Sequence, residues 1–375
     1  MSLTFILKKQ RGRIHLKNWF RHHFPNPGLK DKREIVVSPK QSHSSYSAEI
    51  GTAFDYLFRF HLERTNKKTY KDKGYWVAEA GLKRLLVLID SRKTKKISIG
   101  YYCEKQVDRL KFRKFVIEEF ENAKKNHKMF INDGKLTKDL IKSSVILAKL
   151  DVVFRTLIID SNFEEIEAEK IAELEELLKI VPWDNFKTKN HCLLNPTFGE
   201  GSSLVGGADA DLILDSTLVD IKTNRQLKIV REDLNQIVGY CLLAIIGDLD
   251  IKIKTIGIYF ARYGFLWQMP LTDYHKLEQL PILADEFKQL VGNRELNLIP
   301  NSTIKTSKSF QPIAEYIIDE KDFKCPFCES KYFIKHGKTL NKFRYKCKKC
   351  VKSFTSTIDT TASREFLKNI KWEEL

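Results

Sequence analysis

The run ADADLILDSTLVDIK over residues 208–222 places Asp209, Asp211, Asp220 and Lys222 within one candidate β-hairpin. With a two-residue turn at Asp215-Ser216, Asp211 falls opposite Asp220 and Asp209 opposite Lys222. Alternate strand residues point the same way, so all four would share one sheet face. Like charges directly opposite each other destabilise a sheet, and a cation removes that conflict. Carboxylates at this spacing are hard oxygen ligands suited to Mg²⁺ or Mn²⁺. A lysine two residues after the second acid can hold or activate an attacking water and offset charge developing on a phosphate. By itself such a triplet also arises at surface turns beside an edge strand.

A second constellation lies near the end of the chain. Cys325-Pro-Phe-Cys328 and Cys347-Lys-Lys-Cys350 are separated by 18 residues. Each pair puts two thiolates on one tight knuckle, and two knuckles close a tetrahedral sulfur site for Zn²⁺. A closed four-thiolate site leaves no position for water, so its role is structural, and metal binding supplies the folding energy of so small a segment. Tyr332, Phe333, Phe343 and Tyr345 alternate there with Lys342, Arg344, Lys346, Lys348, Lys349 and Lys352, a nucleic-acid-facing composition. The layout CPFCES…KHG…RYKCKKCVKSF resembles the zinc ribbons at the front of insertion-sequence transposases, which implies DNA binding; docking to a protein is the alternative.

The charge has the same bias. There are 65 Lys and Arg against 48 Asp and Glu, a net +17. Residues 1–40 hold ten basic and two acidic residues, and residues 331–352 hold nine basic and none acidic. The rest of the chain is therefore neutral, and the excess describes partners rather than fold. Nucleic acid is the first polyanion to consider. No run approaches the ~20 apolar residues of a membrane span. The opening MSLTFILKKQRGR is too short in apolar residues for a signal peptide. Four clustered cysteines with Cys103, Cys192 and Cys241 scattered suit a reducing, cytoplasmic setting.

These groups need elements to position them. Residues 1–44 read as a basic arm carrying Arg11, Arg13, Lys17 and Arg21, with Trp19, Phe20 and Phe24 interleaved. A helix is expected from Ser47, a residue with capping chemistry, bearing Ile50, Phe54, Leu57 and His61 at helical spacing. Residues 104–182 are largely helical in pattern, and the Glu run at 164–176 reads as a solvated face. Then come the hairpin, a helix REDLNQIVGYCLLAII in which Gln236 and Tyr240 share a face, and a strand IKTIGIYFARY. His191 is a loop residue able to approach the hairpin, and His22-His23 belongs to the basic arm. Cys241 belongs to an apolar core face.

Taken together, GTAFD at 51–55, ADADLIL, VDIKT and QIVGY resemble the PD-(D/E)xK nuclease superfamily, above all its RecB-like branch with CRISPR-associated and phage-defence members. The motif order is kept over roughly residues 47–271. The resemblance implies a restriction-endonuclease-like mixed sheet flanked by helices. It assigns Asp211 and Asp220 as metal ligands with the Ile221 carbonyl, Lys222 as catalytic lysine, and Gln236 and Tyr240 beside the site. Asp55 stands where the family usually has His, and it keeps ligand capacity; Glu49 is the alternative upstream ligand. Ala208 stands where a Gly is usual, next to Gly206 and Gly207, and Asp209 has no family counterpart.

The expected chain is thus α/β: an arm over 1–44, a nuclease domain over 45–290 with a helical insertion at about 104–182, a linker over 291–321, a zinc ribbon over 322–358 and a tail over 359–375. The expected activity is Mg²⁺- or Mn²⁺-dependent hydrolysis of DNA leaving a 5′-phosphate, with Zn²⁺ structural. Partner proteins of a defence or transposition system, and no membrane, complete the expectation. A non-cleaving DNA-binding adaptor with a nuclease-like fold, or an RNA nuclease, are the alternatives.

Overall fold

The computed structural model describes residues 3–8, 14–66, 69–71, 76–92, 94–100 and 105–292, and the strands 315–317, 333–339, 342–347 and 353–357. The chain divides into two units, Met1–Ile299 and Pro300–Leu375.

In the first unit the order is α1 (Leu3–Lys8), α2 (Ile14–His23), α3 (Ser44–Thr65), β1 (Thr69–Lys71), α4 (Val77–Asp90), β2 (Lys96–Ile99), β3 (Lys105–Asp108), α5 (Arg109–Asp133), α6 (Lys138–Thr156) and α7 (Ala168–Lys179). There follow β4 (Cys192–Leu194), α8 (Glu200–Leu204), β5 (Leu212–Leu214), β6 (Thr217–Lys222), α9 (Arg231–Ile246), β7 (Thr255–Phe260), β8 (Phe265–Pro270) and α10 (Leu280–Gly292). Six strands make one mixed sheet in the order β1-β4-β5-β6-β7-β8. β4, β5 and β6 form an antiparallel meander; β1 joins β4 and β7 joins β6 in parallel, and β8 returns antiparallel.

Helices cover both faces of the sheet. Leu212, Leu214, Val219 and Tyr259 pack into a core with α3 to α7, while Ile213, Leu218, Ile256 and Ile258 pack into one with α1, α2, α9 and α10. Burial on both sides explains why TIGIYF is continuously apolar rather than alternating. Among the described residues no helix is long and apolar enough to cross a membrane.

Three boundaries move. α3 starts at Ser44, capped by His43, whose side chain accepts a hydrogen bond from the Tyr46 amide, and Ser47 lies within the helix. The helical layer starts at α4, before the expected insertion, and residues 105–108 pair as a hairpin strand with β2. Residues 1–44 are not a free arm: Leu3, Ile6, Leu7, Leu16, Phe20 and Phe24 are buried in the second core. The aromatics read as interleaved with charge fill the gap against α10, where Phe20 and Trp19 meet the Phe287 ring.

The α4–α6 crossing makes its own prediction. A Cβ on Gly81 would lie 2.1 Å from the Leu150 carbonyl oxygen, a backbone atom that cannot move aside cheaply. Gly81→Ala gains helix propensity of ~1 kcal/mol, yet overpacking costs about 1–3 kcal/mol. Urea unfolding is expected to give a net loss of stability; a gain would show that the helices separate freely.

In the second unit a four-stranded sheet runs in the order β10 (Phe333–Thr339), β11 (Lys342–Cys347), β12 (Ser353–Thr357), β9 (Glu315–Ile317). β10–β11–β12 is an antiparallel meander, and β9 joins β12 in parallel. The end of the expected linker therefore supplies a strand to this sheet. Lys342, Arg344, Lys346 and Cys347 fall on β11. Cys325, Cys328, Cys350, Lys348, Lys349 and Lys352 lie outside the described residues, as does the tail.

Candidate active site

The hairpin at the centre of the sheet has the expected turn. Leu214 pairs with Thr217 across Asp215-Ser216, with Asp215 in the left-handed region at φ 49°, which Asp tolerates better than most residues. Its carboxylate accepts hydrogen bonds from the amides of Lys189, Asn190 and His191 at 3.0, 2.8 and 3.0 Å. His191 is thereby held at the turn end of the hairpin, away from the end that carries Asp220 and Lys222.

At that other end the ladder stops at Leu212–Val219. The preceding residues turn aside: Asp209 bridges Thr197, the Ala210 amide donates to the Pro196 carbonyl, and the Asn195 amide donates to the Asp211 carbonyl. Asp209 thus pairs with the segment before α8 and is not laddered to Lys222. The positive φ of Gly206 and Gly207 bends the chain there. Asp211 keeps its place beside β6 through its side chain, with Oδ2 accepting from the Ile221 amide at 2.6 Å. Ile221 therefore meets Asp211 through its N–H, whereas the resemblance uses its carbonyl.

Asp220 is buried on β6, and Lys222 Nζ lies 2.8 Å from its Oδ2 and 3.5 Å from Asp233 Oδ1. The Lys222 ammonium is therefore the partner of the buried Asp220 Oδ2. Nζ also donates to Gln236 Oε1 at 3.4 Å. Gln236 Nε2 in turn donates to Tyr240 Oη at 2.8 Å and to Thr4 Oγ1 at 3.3 Å. The Gln236–Tyr240 spacing on α9 thus produces the expected shared face, directed at the lysine. Burial alone would lower the Lys222 pKa; Asp220 and then Asp233 outweigh it and hold the ammonium charged above its ordinary value.

Asp55 comes from α3, one turn before Arg59, whose Nη2 pairs with Asp55 Oδ2. Its Oδ1 is a buried carboxylate oxygen with no hydrogen-bond donor. Burial raises the Asp55 pKa, with Arg59 opposing. Burial, then the charges of Asp220 and Asp55, push Asp211 well above the carboxylate range. Two segments far apart in sequence, α3 and the β5–β6 hairpin, thus bring Asp55, Asp211 and Asp220 into one electrostatic cluster. Glu49 is elsewhere: it is buried in an ion pair with Lys170 Nζ at 2.9 Å. Lys17 and Arg21 lie on α2, half-buried and exposed respectively, and Arg11 and Arg13 lie outside the described residues.

Among the described residues no group of three or more His, Cys, Asp or Glu side chains is arranged to hold a metal ion. The donor set nevertheless fits a hard divalent cation in kind: carboxylates, one of them with a buried oxygen, Asp55 Oδ1, that lacks a donor. Arg59 and Lys222 supply the cationic charge in this arrangement.

Reading the sequence missed four participants. Asp233 stands three before Gln236 on the same helical face, a spacing that could have flagged it. Arg59, four after Asp55, carried a similar signal. Thr4 and Arg262 carried none. Arg262 is fully buried and donates from Nε to the Thr223 carbonyl at 2.7 Å, next to Lys222, and from Nη2 to Glu173 Oε1 at 2.7 Å. Glu173 belongs to the Glu run read as solvated, yet it too is fully buried, with Oε2 accepting from Tyr46 Oη and the Lys40 amide. Cys192 and Cys241 are buried and free, Cys241 in the core as expected, and Cys103 lies outside the described residues.

No family model, curated protein or solved structure matches the chain.

Proposed function

We propose that the protein is a Mg²⁺- or Mn²⁺-dependent nuclease that hydrolyses phosphodiester bonds of DNA. The observation that carries this reading is the convergence of Asp55, Asp211 and Asp220 beside a charged, clamped Lys222, with a buried Asp55 oxygen that lacks a donor. The mixed sheet flanked by helices supports it, since the motif resemblance implies a sheet of that kind.

Asp55, Asp211 and Asp220 would hold the cation. When bound, it would supply Lewis-acid polarisation of the phosphate and lower the pKa of water. Lys222 is the group that offsets charge on the phosphoryl oxygens, because its two carboxylate neighbours keep it protonated. Gln236 aims Lys222, and Tyr240 and Thr4 fix Gln236. Purified protein incubated with plasmid, single-stranded DNA and RNA, each with Mg²⁺, Mn²⁺ or EDTA, tests the reading. Metal-dependent cutting of DNA is expected; cutting of RNA alone would reassign the substrate. Tight binding without cutting would favour the adaptor, a reading that the Asp55–Arg59 pair supports because it neutralises one carboxylate without a metal.

In the second unit we propose a structural Zn²⁺ held by Cys325, Cys328, Cys347 and Cys350, on a basic ribbon that adds phosphate contacts. Metal analysis of freshly purified protein is expected to find about one zinc per chain. A zinc-free preparation that keeps its fold would remove that assignment.

A further inference from the structure

Arg59 of α3 is within electrostatic reach of the proposed metal ligands Asp55 and Asp211 and of one acid outside that site, Asp151 of α6. Its Nη2 pairs with Asp55 Oδ2, and its Nε donates to the Asp55 carbonyl at 3.3 Å. The Tyr56 ring links it to Asp151. The guanidinium lies over the face of that ring, 4.8 Å from the centroid, and the Tyr56 hydroxyl donates to Asp151 Oδ1 at 2.8 Å. The Ala78 amide donates to the same hydroxyl at 3.1 Å and so fixes the edge of the ring. Burial opposes the Arg59 charge, but Asp55, then Tyr56, Asp151 and Asp211, outweigh it and hold the guanidinium protonated.

Asp151 is weakly compensated. Its side chain is 6 % exposed, and its Oδ2 pairs with Arg155 Nη2 at 3.5 Å, on a side chain 60 % exposed and screened by water. Burial raises the Asp151 pKa, against the Tyr56 hydrogen bond and the Arg155 and Arg59 charges. A guanidinium brought closer would therefore stabilise the ionised Asp151. Asp55 is placed to release one. Its Oδ1 is buried without a donor, while its Oδ2 carries Arg59. A divalent cation at Oδ1 would face the guanidinium on the same carboxylate, and like charges that close repel. Arginine stacks on aromatic faces, so the Tyr56 ring gives it a path to Asp151 that never returns it to water.

We propose that Arg59 is an internal counter-ion that exchanges acids: it holds Asp55 until a divalent cation binds there, then moves along the Tyr56 ring to Asp151. The inference rests on the metal-dependent reading of Asp55 and deepens it, because Arg59 and Asp151 then set the affinity for the cation. In the exchange the Asp55–Arg59 pair breaks, a carboxylate–cation contact replaces it, and an Arg59–Asp151 pair forms. Every charge keeps a partner. The site thereby selects by charge. A monovalent cation offers Asp55 no more charge than Arg59 already supplies, whereas a divalent cation does.

The test is cation binding by the full chain without nucleic acid, at about pH 8, where protons compete little for Asp55. Mn²⁺ is titrated and read by electron paramagnetic resonance, which measures the free ion whether or not anything is cut. Arg59→Met keeps the contact with Tyr56 and drops the charge. It is expected to tighten Mn²⁺ binding about tenfold, the size of one charged hydrogen bond. Arg59→Gln carries the same expectation should the Met variant not fold. Asp151→Asn removes the second acid and is expected to weaken binding by a similar factor. In an Arg59→Met or Arg59→Gln background Asp151→Asn should change little, because its effect runs through Arg59. An equal loss in both backgrounds would mean that Asp151 acts only through space, and would overturn the exchange. Unchanged or weaker Mn²⁺ binding in the folded Arg59 variants would overturn it as well. If the expected pattern appears but the wild type cuts no nucleic acid, the nuclease reading falls and the exchange stands. If the wild type cuts DNA and the Arg59 variants bind Mn²⁺ as it does, the exchange alone falls. If neither the wild type nor any variant binds Mn²⁺, both fall.

Discussion

Asp220→Asn is expected to lower metal-dependent cleavage by at least about 10²-fold while leaving the protein as stable as wild type or more so. The two effects have one origin. Asp220 is buried beside Asp211, whose pKa is raised first by burial and then by the charges of Asp220 and Asp55. A carboxyl whose folded pKa exceeds its unfolded one costs stability once pH rises above the unfolded value. Removing the Asp220 charge relieves that cost at neutral pH and removes an oxygen from the proposed metal site, while Lys222, which loses this ion pair, keeps Asp233 as its partner. Lys222→Ala should lose a similar factor in cleavage but differ in stability, because it leaves Asp220 and Asp233 facing each other without their cation. Thermal melting alongside a plasmid-cutting assay reads both quantities. Full activity in Asp220→Asn would exclude this carboxylate from the chemistry, whatever the melting temperature does.

The second large effect is on stability. Arg262 and Glu173 are both fully buried and 2.7 Å apart, and between them they bind the Val37 and Thr223 carbonyls, the Lys40 amide and Tyr46 Oη. They tie α7 to the ends of β6 and β7 across the mouth of the site. Breaking a buried pair from one side leaves an uncompensated charge, at about 3–5 kcal/mol. That is a large part of a typical total stability of ~5–15 kcal/mol. Glu173→Ala is expected to lose this amount in urea unfolding, and Arg262→Ala at least as much because it also frees two carbonyls. The double variant Arg262→Met/Glu173→Leu should recover most of the loss, since well-packed apolar side chains remove the buried charge altogether. A loss below ~1 kcal/mol in both single variants would mean that water reaches the pair.

Local signals were read well. The Arg231–Ile246 helix, the Asp215-Ser216 turn and the Leu212–Val219 register follow from helical periodicity, turn chemistry and strand alternation, and all three stand in the structure. Each depends on neighbours within about ten residues, which is where pattern carries information. Composition misled where long-range packing overrode it. The aromatics of residues 1–44 looked like stacking groups in a charged arm, but burying Phe20 and Phe24 against α10 removes apolar area from water, which outweighs leaving the segment free. Glu173 looked solvated because its neighbours are. One turn of α7 faces Arg262, 89 residues away, and no local pattern encodes that partner.

For the candidate site the division is similar. Residue types and spacing were sufficient to select Asp211, Asp220, Lys222, Gln236 and Tyr240, because an acidic pair, a lysine two residues on and a helical i, i+4 pair are short-range features, whereas Asp55 entered only through the motif resemblance. Their relations were settled only by the tertiary fold. It bends Asp209 away to Thr197, hands Asp211 to the Ile221 amide, brings Asp55 across from α3 with Arg59 attached, and adds Asp233, Thr4 and Arg262. Charges interact through space rather than along the chain. The sequence could therefore name the acids but not which cation each would face.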